Sequence, residues 1–207
     1  MKRIIVILIV STIMSAVPAA AADGENILMK PGRPANEISI SYGGLSLPHM
    51  ANIFGGILGT GLSGGYSKLD KASTVGAICL EYQRHLGRHI AVGGCIVEET
   101  VMLTFDKKTG ETESGEPIYE EGDRQCNTFL TLMPSVKIPW FYREHVSMYS
   151  GFALGAWYNP NGGSSKFGFA GHVSAVGVDA GNSAVRAFAE IGFGFKGLAL
   201  IGIRFSF

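Results

Sequence analysis

The sequence has 207 residues, 17 Lys and Arg against 17 Asp and Glu, and is 46% hydrophobic with 29 glycines and only 16% charged side chains. Balanced charge excludes a nucleic-acid partner held by phosphate neutralisation and gives no electrostatic grip on an anionic lipid surface. A soluble domain of this size carries about 25% charged residues, so the composition asks for an apolar surface that does not face water.

Taken in chain order, Lys2 and Arg3 precede an apolar run of fourteen residues, Ile4 to Val17. Pro18 breaks the run, and Ala20-Ala21-Ala22 supplies the small residues of a cleavage site. Residues 1–22 therefore read as a cleaved secretory signal. As an anchor the run is short for a hydrocarbon core of ~30 Å, and no Cys follows it closely enough for a lipid-anchored mature N-terminus. Without Lys2 and Arg3 the chain keeps 15 basic and 17 acidic side chains, a net of −2, over 185 residues, enough for one domain. No later segment reaches eighteen uninterrupted apolar residues, so no spanning helix is expected. An apolar exported chain with no such helix points to tilted strands facing lipid.

Residues 23–35 (DGENILMKPGRPA) read as a polar periplasmic lead-in, and 36–207 as the folded domain. Eight segments are expected as strands, near 37–45, 74–84, 89–105, 125–140, 145–158, 167–178, 184–194 and 198–207. The connections 85–88, 141–144 and 179–183 are short, whereas 46–73 and 106–124 are long. Short turns at one end and longer loops at the other is the asymmetry of outer-membrane barrels, and an even strand count puts both termini at the short-turn, periplasmic end. The connection 195–197 is tight although it lies at the loop end.

Period-two alternation supports each strand. Near the C-terminus Ala199, Ile201, Ile203, Phe205 and Phe207 share one face, against Leu200, Gly202, Arg204 and Ser206. In 184–194, Ala187, Ala189, Ile191 and Phe193 oppose Arg186, Phe188, Glu190, Gly192 and Gly194. The expected fold is all-β: an eight-stranded antiparallel up-and-down transmembrane β-barrel, apolar outside and small or polar inside. Aromatic residues near strand ends suggest two girdles, Trp140, Phe141, Tyr142, Tyr82 and Phe205 on the periplasmic side and Trp157, Tyr158 and Phe167 on the outer side.

The segments TLMPSVKIPWF (131–141), MYSGFALGAWYN (148–159) and AFAEIGFGFKGLALIGIRFSF (187–207) resemble the outer-membrane β-barrel domain family of small bacterial proteins, with an OmpA/OmpX-type eight-strand architecture. The resemblance covers most of 36–207 and is strongest in the last sixty residues. It implies a Gram-negative outer-membrane location with outer-membrane lipid as the surroundings. It also implies that Phe205 and Phe207 form the terminal signal read by the barrel-assembly machinery during insertion. Its motifs are architectural and assign no activity.

Alternation turns Glu81, Glu99, Lys137, Arg186, Glu190 and Arg204 toward the lumen, where charges must pair. Glu190 and Arg204 are expected as diagonal neighbours. The set reads as a salt-bridge network plugging a bore that eight strands leave narrow, rather than as a solute path. Symmetric pairing about the 85–88 turn sets Cys79 opposite Cys95, a candidate cross-strand disulfide; the alternative is two small apolar fillers. No Cys or His pair has finger-type spacing, so neither metal nor cofactor is expected.

His172-x-Ser174 with Glu190 is the one enzyme-like group, an imidazole placed to activate a hydroxyl and a carboxylate to orient it. It resembles the His-x-Ser pair of an outer-membrane lipid A deacylase family. This chain departs from that pattern, with Ala175 in place of the usual Asn and Glu190 farther along, and alternation sends His172 to the lumen instead of to lipid. The stretch 46–73 is apolar and Gly-rich. A short helix at the membrane surface or over the barrel mouth fits it, as does a strand extension plus linker. The stretch 107–123 reads as a solvated acidic loop. The leading functional reading is a monomeric, non-enzymatic barrel with a structural, adhesive or ligand-contact role through its outer loops. A narrow pore or transport accessory and a lipid A hydrolase are the alternatives, and the ligand is not legible.

Overall fold

The computed structural model describes residues 35–63, 67–87, 89–111, 117–143, 145–161 and 166–207. The expected signal, 1–22, and the lead-in up to residue 34 lie outside them. The elements run β1 Asn36–Gly44, α1 Leu47–Leu62, β2 Ser67–His85, β3 Ala91–Glu111, β4 Pro117–Tyr142, β5 Val146–Tyr158, β6 Phe167–Gly181, β7 Val185–Gly194 and β8 Ala199–Ser206. The strands follow one another in sequence order around a closed antiparallel barrel. The seam is β1 against β8, from Glu37 opposite Ser206 to Gly44 opposite Ala199. Asn36 and Phe207 close it with reciprocal backbone hydrogen bonds of 3.2 and 2.9 Å. Closure gives every strand two hydrogen-bonded neighbours over the shared height of the wall.

Alternation sorts the side chains inside out. Along β7, Val185, Ala187, Ala189, Ile191 and Phe193 are exposed, while Arg186, Phe188, Glu190, Gly192 and Gly194 are buried. Ile40, Leu80, Ile138, Phe152, Leu154, Val173, Ile201 and Ile203 likewise face outward and are exposed, and Phe169 is 95% exposed. Glu37, Glu81, Glu99, Lys137, Asp179, Arg186, Glu190, Lys196 and Arg204 are buried. An open apolar groove of about 760 Å³ runs along the outward face past Ile40, Ala187, Ala189, Ile201 and Ile203.

The wall is uneven in height. β5 pairs with β4 only as far as Tyr158 opposite Leu130, and β1 pairs with β2 only as far as Gly43 opposite Ala77. Beyond those points β2, β3 and β4 continue as a three-stranded flap. The stretch 107–123, expected as a loop, is largely this flap: Lys107 stands opposite Glu120, and Lys108 opposite Tyr119. Polar residues on both faces erase the hydrophobic alternation, and the flap is held by its strand pairing, with Lys108 and Glu111 forming an ion pair along β3. β2 begins at Ser67, so part of 46–73 is strand extension as well.

The rest of 46–73 is α1, which begins at the barrel mouth. Leu45 takes a φ of 53° to turn the chain out of β1. Ser46 then caps the helix, accepting from the His49 backbone N–H at 3.2 Å. Gly55, Gly56, Gly59 and Gly61 each cost about 1 kcal/mol of helix propensity relative to Ala. Tertiary contacts hold the helix instead: Ser46 Oγ donates to Glu99, Asn127 Nδ2 donates to Asn52 Oδ1 at 3.1 Å, and the Leu69 backbone N–H donates to Thr60 Oγ1 at 3.0 Å. α1 therefore lies on the lumen-facing side of the flap. Its other side exposes Phe54, Ile57, Leu58 and Leu62, a stripe at helical spacing with no charged residue anywhere between Leu47 and Leu62. Among the described residues, no helix is long and apolar enough to cross a membrane.

Candidate functional site

The lumen is built in two layers. Toward α1 it is apolar, with Ala77, Cys79, Cys95, Val97, Met133, Ala153, Ala170 and Phe195 in one cluster and Leu47 and Trp157 packed on it. Toward the termini it is a charge network.

At the terminal end Lys137 Nζ donates to Glu37 at 3.3 Å, and His85 Nε2 and Arg204 Nε lie 3.0 and 3.4 Å from the same carboxylate. Asp179 receives Arg186 Nη1 at 2.6 Å, Arg204 Nη1 at 2.7 Å and the Ser147 hydroxyl at 2.6 Å. Arg204 thus joins two carboxylates, and its guanidinium also stacks on Phe188 and Tyr149, 4.6 and 5.1 Å from the ring centroids. Tyr149 links the two halves of the network. Its hydroxyl accepts from Arg204 Nη2 at 3.2 Å and donates to Glu190 Oε2 at 3.1 Å. Gly177 makes room for that ring, since a Cβ there would lie 2.2 Å from it.

Glu190 is the second hub. His172 Nε2 lies 3.2 Å from its Oε1, Ser174 Oγ donates to the same oxygen, and Lys196 Nζ lies 3.5 Å away. Lys196 also meets Glu81 at 2.9 Å, and Ser135 Oγ and Gln83 Nε2 donate to Glu81 in turn. Every buried cation here has a carboxylate, as burial requires. A cavity of about 10 Å³ remains beside Glu81, Lys137, Tyr149, His172, Glu190 and Lys196, roughly room for one water.

Glu81, Lys137, Arg186, Glu190 and Arg204, expected to face inward, are buried in this network, and Glu99 is buried apart from it, against Ser46 and Thr74. The expected Glu190–Arg204 contact is not made. Arg204 stands opposite Arg186 and Glu190 opposite Leu200, so the guanidinium reaches Asp179 and Glu37, and Tyr149 stands between. Sequence reasoning missed Glu37, His85, Tyr149, Asp179 and Lys196. Asp179 escaped because it reads as the first residue of the 179–183 turn, whereas β6 runs on to Gly181 and a bulge between Ser174 and Val176 turns Asp179 inward. Lys196 escaped because a tight turn reads as solvent-exposed. Gly194 and Gly197, at φ of 134° and 115°, fold that turn over the lumen. For Glu37 the signal was present in the alternation with Ser39 and Ser41.

Two further expectations are corrected. Cys79 stands opposite Val97 and Cys95 opposite Glu81, so the cysteines are diagonal neighbours and not an opposed pair, and both thiols are free. The turn closes one residue away from the assumed symmetric position. Trp157, expected in an outward girdle, faces in, with its ring edge-to-face against Phe129 at 5.5 Å. Tyr158 and Phe167 pack together on the outside at 4.7 Å.

His172, Ser174 and Glu190 do come together, in an arrangement unlike a hydrolytic triad. Activation needs the serine O–H aimed at the imidazole. Here hydroxyl and imidazole both turn to Glu190 Oε1, while His172 Nδ1 has no hydrogen-bond partner. The adjoining cavity admits no acyl chain. Among the described residues, no group of three or more His, Cys, Asp and Glu side chains is placed to hold a metal ion. No family model matches this chain, and no curated protein or solved structure matches it either.

Proposed function

We propose that this protein is an integral outer-membrane β-barrel of the OmpA/OmpX-like kind. In this reading residues 1–22 are a cleaved export signal, both termini are periplasmic, and the protein acts by surface contact through its outer flap. The observation that carries this is the inside-out wall, with paired charges within and large apolar side chains exposed without. In water such a surface would drive association; in a bilayer it is the stable arrangement.

The band has the right height. On β4 the outward positions from Trp140 to Leu130 span ten residues, about 33 Å of strand and, at a tilt near 40°, roughly 25 Å of membrane. Its lower edge carries exposed Trp140, Phe141, Tyr142, Phe205 and Phe207, the place for interfacial rings. At its upper edge Glu98 faces out opposite Ile78 and Leu130, and just above it Thr100 and Thr128 share a 3.1 Å hydrogen bond. A carboxylate is tolerated at the headgroup level, where its cost falls to ~0–1 kcal/mol. Phe207 is bonded into the closing seam, consistent with a terminal signal read during assembly.

Above the band, the charged β3–β4 hairpin and the apolar stripe of α1 offer a contact surface for adhesion or a ligand. The narrow-pore reading is disfavoured by the filled lumen, and the lipid A hydrolase reading by the shared carboxylate at Ser174. Cells displaying the barrel with residues 47–62 replaced by a short Gly-Ser linker test the surface role. Loss of adhesion or ligand capture with an intact heat-modifiable barrel is expected; unchanged contact would remove α1 from that role.

A further inference from the structure

Three sulfur-bearing side chains meet in the apolar layer of the lumen, one from each of β2, β3 and β4. Cys95 stands directly opposite Met133. Cys79 is the diagonal neighbour of Cys95, standing opposite Val97 while Cys95 stands opposite Glu81. All three residues are at most 1% exposed and belong to one packed cluster. The turn above contributes Phe195 to the same cluster, next to the buried Lys196.

Diagonal Cβ atoms in a sheet are ~7 Å apart, against ~4 Å in a disulfide. A metal ion spans that gap better, since bonds of ~2.3 Å hold sulfurs roughly 4 Å apart. Two thiols and a thioether, with no imidazole among them, are soft donors. Such a set selects monovalent copper or silver over zinc, which takes four N or S ligands. Charge argues the same way. Lys196 is already met by Glu81 and Glu190. A monovalent ion exchanging for one thiol proton leaves the buried charge unchanged, with the proton passing to solvent.

We propose that Cys79, Cys95 and Met133 form a binding site for one soft monovalent metal ion, Cu(I) or Ag(I). The site depends on the inward register of three strands and is independent of the membrane reading. Silver is the probe, because it neither oxidises nor reduces thiols under these conditions. The full chain carrying Cys126→Ser, which removes the exposed thiol, is purified reduced and its β-signal checked by circular dichroism. It is then loaded with Ag(I), and bound metal is counted by mass spectrometry. One silver per chain is expected. Cys79→Ser/Cys95→Ser should lose it, and Met133→Leu, which keeps the packing, should weaken it roughly tenfold or more. A folded, reduced Cys126→Ser chain that takes no silver overturns the site. So does a chain purified without reductant whose mass is lighter by two hydrogens, which would mean a disulfide. Silver held equally well by Met133→Leu would overturn the three-sulfur geometry.

Discussion

Glu190 accepts from Ser174 and Tyr149 and meets His172 and Lys196, so its removal takes the shared acceptor from two buried hydroxyls and an imidazole and leaves the Lys196 ammonium with Glu81 alone. Glu190→Ala should lower unfolding free energy by about 3–5 kcal/mol, read from the urea midpoint of the refolded barrel. Ser174→Ala should cost only about 1 kcal/mol, because it removes one donor and leaves the charges paired. Fatty-acid release from lipid A should be absent in wild type and variant alike. Release that disappears in Ser174→Ala would instead establish the hydrolase. Gly177→Ala forces a methyl into the Tyr149 ring and should destabilise by about 1–3 kcal/mol. At this scale the inward set was legible wherever period two runs unbroken, as at Arg186, Glu190 and Arg204. It was lost at Asp179 and Lys196, which both read as turn residues: β6 runs past its expected end and carries Asp179 inward, and the turn at Lys196 folds over the lumen. Partner choice was less legible than orientation, since pairing follows strand register and register is set by turns and bulges.

The elements differ in what supports them. The eight wall strands announce themselves by apolar alternation, and all eight lie where that alternation places them. The flap strands do not, because Lys107, Lys108 and Glu120 carry no hydrophobic period. α1 was one of two open readings of 46–73, and the structure combines both, a helix followed by extended β2. With four glycines, α1 leans on its cap and on Glu99. Ser46→Ala removes both the N-cap acceptor and the donor to Glu99 and should cost about 1–2 kcal/mol, confined to α1. Limited proteolysis should then cut within 47–62 faster, while the gel mobility of the unboiled barrel stays unchanged.

For the whole molecule, the distribution of side chains fits a bilayer better than water, and the lumen fits a plug better than a channel. Single-channel recording in planar bilayers should show no steady conductance, since the apolar layer around Met133 and Phe195 and the charge layer around Arg204 fill the bore. A reproducible open state would reverse the order of the two readings. Outer-membrane fractionation, with gel mobility compared before and after boiling, tests whether the barrel resides in the membrane. A band in the outer-membrane fraction that runs compact unboiled and shifts on heating is expected. A soluble periplasmic protein with no heat-dependent shift would contradict it and would place Phe169, Ile201 and Ile203 against a protein partner instead of lipid.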